Sequence, residues 1–125
     1  IHHIAGDTWN VNPIALKRVE RLFCRNERAV LELDLADRPD CRILVVPVAA
    51  ILVASLRLHA LEKPLGLNYA GPARIPCDVG YQRGQEMGYF EQGSTILLFT
   101  GPGFRFEAGV ATGAHWRMGE AIMRY

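Results

Sequence analysis

Charge of one sign, cysteine and long apolar runs are all scarce in this sequence. Over 125 residues, 14 Lys and Arg stand against 13 Asp and Glu, a net charge of +1 with His neutral. A strongly electrostatic nucleic-acid binder would carry a clear basic excess, so that class is excluded, although a local basic patch is not. The cysteines, Cys24, Cys41 and Cys77, are odd in number, widely spaced and without a C-x-x-C pair. They make neither a disulfide framework nor a zinc site. Reduced, buried thiols in a cytosol-facing protein fit them best, with a single extracytoplasmic bridge as the other option. The longest apolar run, ILVVPVAAILVA at residues 43–54, is interrupted by Pro47 and followed closely by Arg57. A membrane-spanning helix needs about 20 apolar residues, so this run is too short. The opening Ile1-His2-His3 lacks the basic, apolar and small-residue succession of a signal peptide, and the missing Met predicts that residues precede it.

What is present suits one ordinary domain. Half of the residues are hydrophobic, which is enough for a single core, and with a net charge near zero it argues against disorder. Residues 28–35, RAVLELDL, place apolar Val30, Leu33 and Leu35 around Glu32 and Asp34 and read as a half-buried strand, with a turn at Asp37-Arg-Pro-Asp40. The run at 43–54 reads as two buried strands or one bent strand, with Pro47 at a bulge or an edge. TILLFT at 95–100 is a further short strand. Only residues 13–23 look helical: Asn12 is placed to cap, Pro13 opens the first turn, and Ala15, Leu16, Val19, Leu22 and Phe23 fall on one face. Eight of the 12 glycines lie at or after Gly84, between short apolar runs. The expected fold is therefore mainly β, a barrel- or sandwich-like domain of short strands over residues 1–125 with one short amphipathic helix near the N-terminus.

The histidines, at 2, 3, 59 and 115, have no metal-ligand spacing. Neighbouring side chains on a regular element point apart, so His2 and His3 make no joint metal site. His59 and His115 lack a partner motif and read as structural or surface histidines. Gly101-Pro-Gly103 lacks the Lys-Ser/Thr and the helix start of a phosphate loop and reads as a turn. From Lys17 to Arg28 five positive charges face two negative ones, which gives that helix and its exit a basic character and reads first as a solvated helix face.

The segment richest in information is GQEMGYFEQGSTILLF at 84–99. Alone, Gly93-Ser94-Thr95 is a common turn before a strand. In its setting of Gly84, Glu86, Met87, Gly88 and Phe90, it closely resembles the self-cleavage site of the phosphatidylserine decarboxylase family. A second block, Gly6-Asp7, Val11-Asn12 and then LFCRNER at 22–28, resembles the family segment ending in Arg-Asn-Glu-Arg. Met118-Gly-Glu120 is a third match, and the three keep the family order. One departure is Gln92, where the family usually has Leu. The scissile pair is untouched by it, so it bears on cleavage rate or specificity more than on the chemistry.

The resemblance implies a pyruvoyl-dependent enzyme that cuts itself between Gly93 and Ser94, leaving residues 1–93 in the larger chain and 94–125 in the small one. Glycine at 93 tolerates unusual backbone geometry and leaves its carbonyl open to the Ser94 hydroxyl. An N-to-O acyl shift, elimination and hydrolysis would turn Ser94 into a covalent pyruvoyl group, the implied cofactor, which binds the substrate amine as a Schiff base and accepts electrons as carbon dioxide leaves. The implied substrate is phosphatidylserine and the product phosphatidylethanolamine; a related serine-headgroup lipid is the nearest variant. The implied partners are a membrane surface and the protein's own two chains, with room for a homo-oligomer and no nucleic acid. The implied location is peripheral, on the cytoplasmic face of a bacterial inner membrane. The family's activating His, in a Tyr-His-Arg-x-His segment, and its partner Asp are expected upstream of residue 1, and that role is not carried onto His2 or His3. The competing reading is a non-catalytic barrel-sandwich-like domain that binds or assembles with a partner, although neither Lys17 nor Lys63 sits in a carrier hairpin.

Overall fold

A computed structural model describes residues 1–51, 55–66 and 69–125. Strand β1 (His2–Ile4) is followed by helices α1 (Pro13–Arg18) and α2 (Leu22–Arg25), then by β2 (Arg28–Leu35) and β3 (Arg38–Val48). Next come β4 (Ser55–Leu58), β5 (Leu65–Gly66), β6 (Gly88–Phe90), β7 (Thr95–Thr100), β8 (Arg105–Phe106) and β9 (Met123–Arg124). The first sheet runs β1-β2-β3-β7 and the second β5-β4-β6, both antiparallel throughout, while β8 and β9 pair separately. The mainly β expectation holds. Among the described residues no sheet closes into a barrel, and the core lies between two sheets, as in a sandwich.

That core is built by alternation. Ala29 and Leu31 of β2 are buried on the same face, against Leu58 of β4 and Leu65 of β5, with Val45, Leu56 and Met87 packed at the margin. Val46 and Val48 point to the opposite face of β3 and are buried too. Burial on both faces explains the unbroken apolar run that begins at Ile43.

Three local expectations are corrected. Pro47 sits at neither an edge nor a bulge: β3 lies between β2 and β7, and Pro47 partners Ile96 on the β7 side. The β2 ladder steps over it, from Arg28↔Val48 to Leu31↔Val45, so a strand interior accommodates the missing N–H. The last residues of the apolar run, 52–54, lie outside the described residues. The turn falls at Ala36-Asp37, with Leu35 opposite Arg38, so the residues from Arg38 to Asp40 already belong to β3. The single helix becomes two. Asn12 caps α1 as expected, its Oδ1 accepting from the Ala15 N–H at 2.8 Å, with Pro13 in the first turn. Val19 is already extended and Arg21 is left-handed, at φ 55°. The break re-aims Leu22 into the interior, whereas α1 buries no residue.

The buried-thiol expectation holds for Cys41 alone. Cys24 and Cys77 are exposed, and all three thiols are free.

Candidate active site

Two of the sequence blocks meet across β3. In the first, Gly6 lies so close to the chain at Arg25 that a Cβ there would fall 2.2 Å from the Arg25 carbonyl oxygen, which only glycine avoids. The Asp7 N–H donates to Arg25 O and the Glu27 N–H to Asp7 O, each at 2.8 Å. Asn26, fully buried, donates from Nδ2 to the carbonyls of Trp9 (2.7 Å) and Ala49 (2.8 Å), and its Oδ1 accepts from the Trp9 N–H at 3.0 Å. The Ala49 N–H donates to Glu27 O at 2.8 Å. Arg28 folds back onto the carbonyls of Cys24 and Asn26. The Arg-Asn-Glu-Arg run is thus a latch that fixes the end of β3.

The second block arrives from the other side. Gly84 turns with φ +77°, and Gly88 lets β6 approach β4, since a Cβ there would lie 2.2 Å from the Arg57 carbonyl oxygen. Two side-chain contacts tie β4 and the residue after it to the residues flanking β6: a hydrogen bond between His59 Nε2 and Glu86 Oε1 at 2.7 Å, and an ion pair of Arg57 with Glu91 at 3.0 Å. His59 is therefore a surface histidine with a partner, while His115 lies exposed in a turn-rich tail. Beyond Phe90 the chain crosses at residues 91–94 to the first sheet. There Thr95 pairs with Val48, and the half-buried Ser94 donates its hydroxyl to the Val48 carbonyl. Among the described residues no imidazole or carboxylate is hydrogen-bonded to Ser94. Gly93 is exposed, has no left-handed backbone, and would meet nothing within 4 Å if it carried a Cβ. Gln92 is exposed.

The third block stays apart. Met118 is exposed, and Gly119 (φ +85°) forms a surface turn closed by the Glu120 carboxylate on the Arg117 N–H.

These blocks are more than a local likeness. The phosphatidylserine decarboxylase family model matches residues 1–124. The chain belongs to the phosphatidylserine decarboxylase family. A phosphatidylserine decarboxylase proenzyme of Vibrio cholerae is 36% identical over 125 residues, covering 94% of this chain and 43% of the relative. One from Actinobacillus pleuropneumoniae is 30% identical over 126 residues, 98% of this chain and 43% of the relative. One from Coxiella burnetii is 36% identical over 98 residues, 77% of this chain and 34% of the relative. This chain thus spans less than half the length of the decarboxylase relatives it matches. No solved structure matches it.

Sequence reasoning missed one feature beside the family site. His3 and Glu27, both buried, join Nε2 to Oε1 at 2.7 Å. They line a small cleft of about 20 Å³ whose other walls include Pro47, Ala49, Leu56 and Phe90. The available signals were a His three residues before Gly6 and the Glu inside the Arg-Asn-Glu-Arg run.

Proposed function

We propose that the complete protein is a pyruvoyl-dependent phosphatidylserine decarboxylase that processes itself at Gly93-Ser94. The observation that carries this reading is the Ser94 hydroxyl, held on a main-chain carbonyl at the start of β7 and beside an unobstructed Gly93. A fixed hydroxyl next to an exposed peptide is what an N-to-O acyl shift requires of the chain, and a base must then take the hydroxyl proton. Val48 O accepts a hydrogen bond but is too weak a base for that step. We therefore place the base in the family's upstream His and Asp. Shift, β-elimination of the upstream carboxylate and hydrolysis, with loss of ammonia, would leave the pyruvoyl group on the small chain. When formed, that group supplies an electron sink for decarboxylation of the serine headgroup. The exposed Gly93 and half-buried Ser94 leave room for it.

The substrate is a bilayer lipid, so the protein works as a peripheral enzyme, and the cytoplasmic face of a bacterial inner membrane is its proposed location. No helix among the described residues is long and apolar enough to cross a membrane. Contact with the membrane is proposed through α1 and its exit. There Ile14 (63% exposed) and Leu16 (42%) stand free beside Lys17, Arg18 and Arg21. Apolar side chains next to cations suit an anionic lipid surface.

Mass spectrometry of the full-length protein tests the reading. The expected result is a small chain beginning at position 94 and lighter by one ammonia than a serine-started peptide, and Ser94→Ala stays uncut. An intact Gly93-Ser94 bond in the wild type overturns it. Co-sedimentation with anionic vesicles tests the membrane surface: Lys17→Glu with Arg18→Glu should lower binding at least tenfold at low salt. Unchanged binding removes α1 from the interface.

A further inference from the structure

We propose that the cleft beside Ser94 is a subsite for the substrate's primary ammonium, and that His3, oriented by Glu27, takes its proton. This inference rests on the decarboxylase reading. It starts from two buried groups whose hydrogen-bonding capacity is half used among the described residues. The pair joins Nε2 of His3 to Oε1 of Glu27. Among the described residues, His3 Nδ1 and Glu27 Oε2 have no hydrogen-bond partner. A buried polar atom left unpaired costs about 1–3 kcal/mol, so an open imidazole nitrogen and an open carboxylate oxygen on the wall of a cleft call for a ligand. Apolar walls with a few convergent polar groups are the usual make-up of a small-molecule site.

The chemistry of the pair selects the ligand. A carboxylate only accepts, so Nε2 carries the hydrogen and, in the neutral ring, Nδ1 keeps its lone pair. Tyr69 packs edge-on against the ring, centroids 4.8 Å apart, and fixes its plane. The cleft therefore offers two acceptors, one of them on an anion, which suit a group with several N–H donors. Arg28 lines the same cleft, but its Nη1 is committed to the Cys24 and Asn26 carbonyls.

Position connects the pair to the reaction. The Ala49 N–H donates to Glu27 O, and Ala49 follows Val48, which holds the Ser94 hydroxyl. Glu27, Ala49 and Ser94 thus lie in one row across three neighbouring segments, and strand spacing puts the ends of that row about 10 Å apart. An ammonium has no lone pair and cannot attack a ketone. Transfer of one N–H proton to His3 Nδ1 leaves a neutral amine with its lone pair and an imidazolium paired with Glu27. No other reactant is needed.

The test uses full-length protein in two arms. In the first, Ser94→Ala, which cannot form the pyruvoyl group, is titrated with glycerophosphoethanolamine and with glycerophosphocholine. Both are zwitterionic phosphodiesters, but only the first has N–H donors. The first should bind at least tenfold more tightly, and adding His3→Gln should weaken that preference, because a Gln amide keeps the Nε2 contact to Glu27 but puts a weaker, non-basic amide oxygen in place of the Nδ1 lone pair. Ala49→Leu, which fills the cleft from the position beside Glu27, should abolish it and covers the case in which the His3 variant fails to fold. Equal affinities, or a preference that neither variant lowers, overturn the proposal. In the second arm, His3→Gln alone should be cut normally at Gly93-Ser94 yet decarboxylate at least about 100-fold more slowly, in line with loss of a positioned base. Lost cleavage, or a kcat within twofold of wild type, overturns the role of His3. A wild-type protein that neither cuts itself nor decarboxylates, while Ser94→Ala still prefers the primary amine, refutes the enzyme reading and leaves the subsite standing.

Discussion

Asn26 makes the case at the scale of single residues. Its three side-chain hydrogen bonds join the loop at Trp9 to the end of β3 at Ala49 at a fully buried site. Asn26→Ala should cost about 3 kcal/mol in urea unfolding, since it orphans main-chain groups on both sides. A loss below about 1 kcal/mol would show that the latch is dispensable. Gly6→Ala should cost about 2 kcal/mol, because the clash is with backbone and not with a movable side chain. At the far edge of the molecule, Tyr125 lies under the Arg38 guanidinium, 4.1 Å from its ring centroid. Hydrogen bonding to the Cys41 thiol, and the charge that thiol acquires when ionised, hold the Tyr125 phenol above its ordinary value of 10.0, against the pull of Arg38. A raised value on an acid means that the folded state prefers the neutral phenol. This contribution is therefore complete below pH 10 and is lost as the pH rises through the folded value. Ultraviolet titration should show phenolate appearing later than in a free tyrosine, and Cys41→Ala should bring it earlier; coincident curves would remove the thiol as the cause.

Elements were legible where one periodicity ruled. Residues 28–35 and 95–100 form the strands that their patterns predict, because each has one apolar face or a short run bounded by glycine. The helix at 13–23 was misread because its apolar spacing continues through Val19 although the backbone does not. Tertiary burial of Leu22 decided the break, and no local signal announces a left-handed arginine. Arg21→Gly should stabilise the protein by up to about 1 kcal/mol, since glycine occupies that region without strain. Destabilisation on thermal melting would mean that the arginine side chain offsets its backbone cost. The site shows the same division. Gly93-Ser94 and the Arg-Asn-Glu-Arg run could be found from their order in the chain. The His3–Glu27 pair could not, because β1 and the entry to β2 meet only through sheet pairing 24 residues apart.

On the scale of the whole molecule, the proposed cleavage falls in the link between the two sheets, after β6 and just before β7. Cutting there would separate two covalent chains without separating their packing. β7 stays paired with β3 from Ile43↔Thr100 to Val48↔Thr95, and this ladder lies wholly between the larger and the small chain. Arg38 on Tyr125 adds a second tie between them, whereas β8 and β9 pair within the small chain. The fragments of the processed protein should therefore co-elute on size exclusion in native buffer and part only in denaturant. Val45→Asp is the sharper form of the experiment. It places a carboxylate at the margin of the core, opposite Leu98, and burial of an unpaired charge there should release the small chain at a lower urea concentration than in wild type. If the wild-type small chain elutes alone in native buffer, the β3–β7 ladder does not hold the cleaved protein together.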